Sequence, residues 1–300
     1  MNTFCAHISS VKIIRQRGIA LLQVLLISSI ISILALFFTL TARQQLSVAT
    51  LANDRVNAEL LVRTAESKVM FELMTKESAT SELYPMPKGY NFYANPISID
   101  EYTKVEIQDV AGLLSVQYPD HTLLTKTLER LGASSDIAVQ FTDSLADWQD
   151  ADDLKRLNGA EKGDYPLGPR NATISLKSEA ALVKGMTPLL WKQVSPLLTV
   201  PRANYFNPMV APSPILKAFL NSDAQDILRL REEGRLTRSE FSQLTGVYDQ
   251  EGIILSKSDI FRVKIKVHYG AVELTKTATL KLDPYALEDR SVIDGVNSKW

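Results

Sequence analysis

The residues best suited to chemistry are Asp147-Trp148-Gln149-Asp150-Ala151-Asp152-Asp153, followed by Asn158-Gly159-Ala160-Glu161 and Asp164-Tyr165. Calcium takes six to eight hard oxygens, and carboxylates one residue apart in a loop can face one ion. An oxygen set without His points to calcium over zinc or copper. Counted from Asp150, Glu161 falls at the twelfth position, as in an EF-hand loop, but Lys155 stands sixth, where that loop requires Gly. The stretch is therefore no EF-hand. A solvated acidic turn with helix caps accounts for the same residues, and both readings stand at this point.

Other chemistries are poorly supplied. The one cysteine is Cys5 and the histidines past residue 18 are His121 and His268. No H-E-x-x-H, G-x-S-x-G or P-loop pattern occurs, and lone histidines are usually structural. A tethered hydrolase built on the acidic cluster is the remaining enzymatic option. The sequence predicts no enzyme. The formal net charge of −1 argues against nucleic acid, whose phosphates call for a basic surface.

The acidic residues lie in a helical stretch, about Pro119 to Asp259. Leu123, Leu124, Leu128 and Leu131 with Gly132 predict one helix and its stop, and Ala138 to Trp148 predicts another. Ser178 to Val183, Lys184-Gly185-Met186-Thr187-Pro188 and Leu190 to Leu197 read as helix, turn, helix. This unit is either a helix-hairpin-helix phosphate binder or a packing corner, and its single glycine in an acidic chain favours the corner. Pro214 to Leu220 and Asp223 to Glu232 continue in the same style. Strand patterns flank the stretch: Val105 and Ile107 on one side of Lys104 to Gln108, then Phe261, Val263, Ile265 and Val267 alternating with Arg262, Lys264 and Lys266. A turn at Tyr269 and Gly270 leads to Val272, Leu274, Ala278, Leu280 and Leu282.

Ahead of all this runs Ile19 to Leu40, IALLQVLLISSIISILALFFTL, without a formal charge, directly after Lys12, Arg15, Arg17 and Gly18. A helix of that length spans roughly 33 Å, enough for the ~30 Å hydrocarbon core of a bilayer. It is too long for a signal-peptide apolar region. The basic flank places residues 1–18 in the cytoplasm and the chain from about 45 onward outside. No Gly or Pro occurs from Ile19 through Tyr84, so the helix continues past the membrane, with Ala49, Ala52, Val56 and Leu60, then Val62, Ala65, Val69 and Leu73, each set on one face. Pro85 and Pro87 are the expected stop.

The junction of basic run, Gly18 and apolar helix resembles the class III leader of type IV pilins and pseudopilins. That resemblance implies cleavage after Gly18 by a cytoplasmic prepilin peptidase, N-methylation of Ile19, and a mature chain of formal charge −4 with no cysteine. Gln23 stands at the fifth mature position, where most such proteins carry a Glu thought to pair with a neighbouring subunit's N-terminal amine. A subunit without that carboxylate suits the leading end of a filament; in a plain anchor Gln23 would be merely tolerated. Leu145 to Asp152, Asn158-Gly159-Ala160-Glu161, Tyr165, Glu179 and Leu182 to Pro188 are similar to the inserted domain of type II secretion system protein K, and Asn204 to Phe219 is similar to another family segment.

The resemblance implies an α+β fold: a pilin-like long N-terminal helix packed on an antiparallel sheet, with a large helical domain inserted between strands. The expected parts are a leader (1–18), a transmembrane segment (19–40), the helix continuation and first strands (41–118), the insert (119–259) and C-terminal strands (260–300). It implies a minor pseudopilin in the bacterial inner membrane, single-pass, with its bulk in the periplasm. Such a subunit caps the pseudopilus with other minor pseudopilins, has the major pseudopilin as a further partner, and takes part in export of folded proteins. Structural calcium is carried over onto Asp150, Asp152 and Glu161, with Asp147 and Asp164 as further ligands; Lys162 and Ser115 depart from the family pattern. A minor pilin of a type IV pilus or DNA-uptake system is the alternative, and it would show disulfides or a basic face.

Overall fold

The computed structural model describes residues 19–76 and 86–283, and the backbone of 293–299. The expected leader with Gly18, and the expected stop at Pro85, lie outside the described residues. The chain divides into two compact units, Met1–Val56 and Asn57–Trp300.

Helix α1 covers Ile19–Thr75. Within the first unit its side chains are exposed on every face, and this helix is long and apolar enough to cross a membrane. Its few hydroxyls are compatible with that solvent: Ser28, Ser29, Ser32 and Thr39 donate to the carbonyls of Leu25, Leu26, Ser28 and Ala35 at 2.7–3.0 Å. Each of these four hydroxyls thus has a carbonyl partner within its own helix. The expected packing seam of Ala49, Ala52, Val56 and Leu60 is not one, since all four are exposed. Burial begins at Ala58 and runs through Val62, Ala65, Val69 and Leu73, spaced to keep one face inward.

That face belongs to the second unit and packs on a five-stranded antiparallel sheet. The strands are β1 (Ile97–Ser98), β2 (Thr103–Asp109), β5 (Ile260–Tyr269), β6 (Val272–Leu282) and β7 (Ile293–Lys299), in the order β1-β2-β5-β6-β7. The alternation read in the sequence is the pleat: Val105, Ile107, Val263, Ile265, Val267, Ala278 and Leu280 face the helix in one core. Lys276 on β6 reaches Glu66 on α1, with its Nζ 2.7 Å from both carboxylate oxygens. The helix ends at Thr75, ten residues before Pro85. Lys257 explains how the end is held, because its ammonium donates to the Leu73 carbonyl at 2.9 Å and to that of Lys76. A cation at a helix C-terminus satisfies carbonyls that lack an amide partner.

Between β2 and β5 the chain leaves the sheet and builds a second core. Its elements are β3 (Leu114–Ser115), α2 (His121–Arg130), α3 (Ser135–Asp147), α4 (Pro188–Val194), β4 (Leu198–Thr199), α5 (Ser213–Leu220), α6 (Gln225–Glu232) and α7 (Arg238–Thr245). Leu114 and Val116, expected with the first strands, instead pack with Leu124, Phe141, Leu145, Ile215 and Phe241, and β3 pairs in parallel with β4. Ser178 to Val183 forms a 3-10 turn, Lys177–Leu182, in place of a full helix. Gly185 makes the corner before α4: it has φ +89°, and a Cβ there would stand 2.9 Å from the Phe141 amide nitrogen. Helix α7 is a further helix beyond those the periodicity predicts, and Thr237 and Glu240 form a reciprocal capping box at its start.

Candidate functional site

The acidic loop begins where α3 ends. Asp147 is the last helical residue and is fully buried. Its Oδ1 accepts from the Arg156 guanidinium at 2.5 Å, and its Oδ2 accepts from the amides of Arg156 at 3.2 Å and Ala160 at 2.9 Å. A buried carboxylate is tolerable only with such charge-assisted partners. Asp147 thereby folds the loop over itself. Gly159 is required by this approach, since a Cβ there would lie 1.8 Å from Asp147 Oδ2.

Around this anchor the loop is fastened at several points. The rings of Trp148 and Tyr165 meet edge to face at 4.9 Å. Gln149 spans two segments, accepting from the Ile174 amide at 3.0 Å and donating to the Val116 carbonyl at 2.9 Å. Asp143 accepts from the Asn158 side chain at 3.2 Å, and Arg170 pairs with Glu179 at 2.8 Å. The loop is irregular in backbone but fixed in position by side chains.

The five expected ligands are placed differently from one another. Asp150 Oδ2 stands 2.6 Å from the same Arg156 Nη1 that holds Asp147, so these two carboxylates are brought together across one guanidinium. Asp150 Oδ1 is buried without a hydrogen-bond partner. Asp152 is exposed and caps the loop locally, accepting from the Leu154 amide at 2.8 Å. Asp164 is turned toward two lysines, Lys184 at 2.6 Å and Lys155 at 3.0 Å, and accepts from the Glu161 amide at 3.1 Å. Lys184 and then Lys155 hold its carboxyl well below the usual carboxylate range.

Glu161 is the anomaly. It is 6% exposed, and both carboxylate oxygens are buried with no hydrogen-bond partner. Burial pushes its carboxyl up, and the negative charges of Asp147, Asp150, Asp153 and Asp152 push it further in the same direction. Such an acid is settled by a proton or by a cation.

Glu161 and Asp150 between them leave three buried oxygens unpartnered, of the hard kind calcium takes but fewer than the six to eight it needs. Among the described residues, no group of three or more His, Cys, Asp or Glu is gathered as a metal centre. The place between Asp147 and Asp150 is held by Arg156. Neither that arginine's role nor the pairing of Lys184 with Asp164 is among the sequence expectations; for the arginine the available signal is the pair of bases at positions 155 and 156 inside an acidic stretch.

His121 opens α2 and His268 lies exposed near the end of β5, far along the chain from the acids and from each other.

Comparison with known proteins agrees with this architecture. A family model described as type II secretion system (T2SS), protein K matches residues 108–202, which include the whole acidic loop. Type II secretion system protein K of Pectobacterium carotovorum subsp. carotovorum is 25% identical over 89% of this chain and 93% of its own length. The Klebsiella pneumoniae protein of the same name is 30% identical over 61% of this chain and 62% of its own. In the crystal structure of the GspK-GspI-GspJ complex from the enterotoxigenic Escherichia coli type 2 secretion system, one chain superposes with a TM-score of 0.52 at 16% identity, covering 81% of this chain and 95% of that one. An apolar N-terminal helix, an antiparallel sheet and a helical insert opened between its strands are thus joined to matching sequence in the insert itself, and in both respects the chain is similar to type II secretion system protein K.

Proposed function

We propose that this chain is a minor pseudopilin that caps the tip of the periplasmic pseudopilus and takes part in export of folded proteins across the outer membrane. The observation that carries the reading is the compact helical core inserted between β2 and β5, which enlarges the head beyond what the sheet and α1 alone would make. A broad head suits a terminal position better than a place along a close-packed shaft. Gln23 supports the same position, because an uncharged side chain in the apolar helix offers no carboxylate to the amine of a subunit ahead. The helix would anchor the chain in the inner membrane with its bulk in the periplasm. Its role is assembly, without catalysis.

The partners in this reading are two other minor pseudopilins, as the relative of known structure is complexed with GspI and GspJ, together with the major pseudopilin behind them. Prepilin peptidase would cut after Gly18 and Ile19 would be methylated. Calcium would be bound in the insert, with Glu161 and Asp150 as the first donors, then Asp152, Asp147 and Asp164. When bound, the ion would supply positive charge that lets these acids share a loop.

The test is co-purification of the full chain, in detergent, with the minor pseudopilins encoded beside it. A stable complex is expected, along with loss of secretion on deletion of the gene. Failure to associate with them, or even distribution along the shaft, overturns the reading. Substitution of Gly18 should leave a precursor heavier by its leader; normal maturation of that variant rejects the prepilin assignment.

A further inference from the structure

We propose that the cavity at the neck of the insert, walled by apolar and aromatic side chains beside the buried guanidinium of Arg231, is a binding site for a carboxylate carried on an apolar body. The inference goes beyond the assembly role and is independent of calcium.

The cavity, of about 410 Å³, lies where residues 90–93 ahead of β1, residues 207–210 of the insert and residues 255–257 on the way back to β5 come together, with the end of α6 alongside. Phe92, Met209, Val210, Leu236 and Leu255 supply apolar wall, and the volume is that of a usual small-molecule site. Arg231, Arg238 and Lys257 line it as well, and among the described residues no Asp or Glu does. This lining suits an anion with a hydrophobic remainder. A strongly hydrated dianion such as phosphate would give up too much water to enter between such walls.

Arg231 marks the cavity as more than a packing gap. It is 5% exposed, in the last turn of α6. Its Nη1 donates to the Ala211 carbonyl at 2.8 Å, its Nη2 donates to that of Pro208 at 2.7 Å, and its Cζ lies 5.2 Å from the centre of the Tyr93 ring. These neutral partners aim the guanidinium and leave its charge in place, while Nε is buried with no partner at all. Burial lowers its pKa to about 10, so it stays charged at neutral pH. Lys276 is similarly buried, but it has both oxygens of Glu66 at 2.7 Å. Among the described residues Arg231 has no such acid. Apolar walls lower the local dielectric and strengthen the pull of this charge on an anion in the cavity, and a planar guanidinium matches a carboxylate best. Tyr90, also in the lining, has a buried hydroxyl with no partner, a second donor for the same group. Arg238, exposed and shared with Asp249 at 3.7 Å, adds positive charge that helps to draw an anion in.

The experiment is calorimetric titration of the full chain in detergent with two probes, phenylacetate and the N-acetylated dipeptide alanyl-phenylalanine, each as the free acid and as the amide. The amides report apolar contact and uptake by the micelle alone. At least one acid should bind about tenfold or more tightly than its amide, the size of effect that one desolvated charge pair supports. Arg231→Met, which keeps the bulk and removes the charge, should erase that difference. The tighter of the two acids identifies the source of the ligand: the dipeptide points to the end of a polypeptide, phenylacetate to a free organic acid. Acids that bind no better than their amides, or a preference that survives in Arg231→Met, overturn the proposal. Should Arg231→Met fail to fold, Leu236→Trp decides, since it fills the cavity and keeps the arginine. Loss of acid binding at an unchanged melting temperature then supports the site, and undiminished binding overturns it.

Discussion

Ser258 donates its hydroxyl to Asp109 Oδ1 at 2.5 Å and its amide to Oδ2 at 2.7 Å, joining the last residue of β2 to the segment that re-enters the sheet at β5. The pair closes the neck of the insert across 149 residues of chain. Asp109 is fully buried and accepts a third bond from the Ala111 amide at 2.8 Å. Burial nevertheless outweighs these bonds and pushes its carboxyl up to about 6.

The neck therefore has a pH signature. Asp109 binds a proton more tightly folded than unfolded, so its contribution to stability is fully present below about pH 4 and is lost as pH rises through about 6. The shift from 3.8 corresponds to about 3 kcal/mol. In urea unfolding of the full chain from pH 4 to 7, Asp109→Asn should show a flatter profile than the natural protein by that amount. Parallel profiles for the two proteins exclude Asp109 as the titrating group.

Glu66 and Lys276 connect α1 to β6, and both are largely removed from water. Breaking a buried pair from one side strands the other charge, at a cost of about 3–5 kcal/mol. Lys276→Ala should lower stability by that amount in denaturant titration. The double change Glu66→Leu with Lys276→Met should restore most of it. A double variant as unstable as the single one would mean that packing by the lysine stem, not the charge, holds the helix.

Gly159 has no room for a side chain. Gly159→Ala would drive Asp147 off the Ala160 amide, and we expect a loss of about 2–4 kcal/mol with a matching fall in melting temperature. Gly132, also in the insert, has a left-handed backbone but open space, so Gly132→Ala should cost less, about 1 kcal/mol. Equal losses at the two positions would show that the Asp147 contact does not set the loop.

Calcium at a hundred times its dissociation constant should stabilise the folded chain by about 2.7 kcal/mol, and EDTA should reverse the gain. Glu161→Gln should abolish the difference, because it removes charge from the acid with no other partner. A melting temperature indifferent to calcium and chelator in the natural chain rejects the ligand assignment.

The sequence by itself determined the periodic parts: the apolar span from Ile19, the inward face from Val62 to Leu73, and the alternation along β5 and β6. Helical and strand periods are local, so a window of ten or twenty residues contains them. It also disclosed which carboxylates crowd into one loop. Only the tertiary structure decided which of them are already paired. Lys184 reaches Asp164 from 20 residues away, Ser258 reaches Asp109 from 149, and Lys276 reaches Glu66 from 210. Nothing local encodes those meetings. They depend on where the insert departs from the sheet and returns, and there the burial of each charge, more than its identity, sets what it can bind.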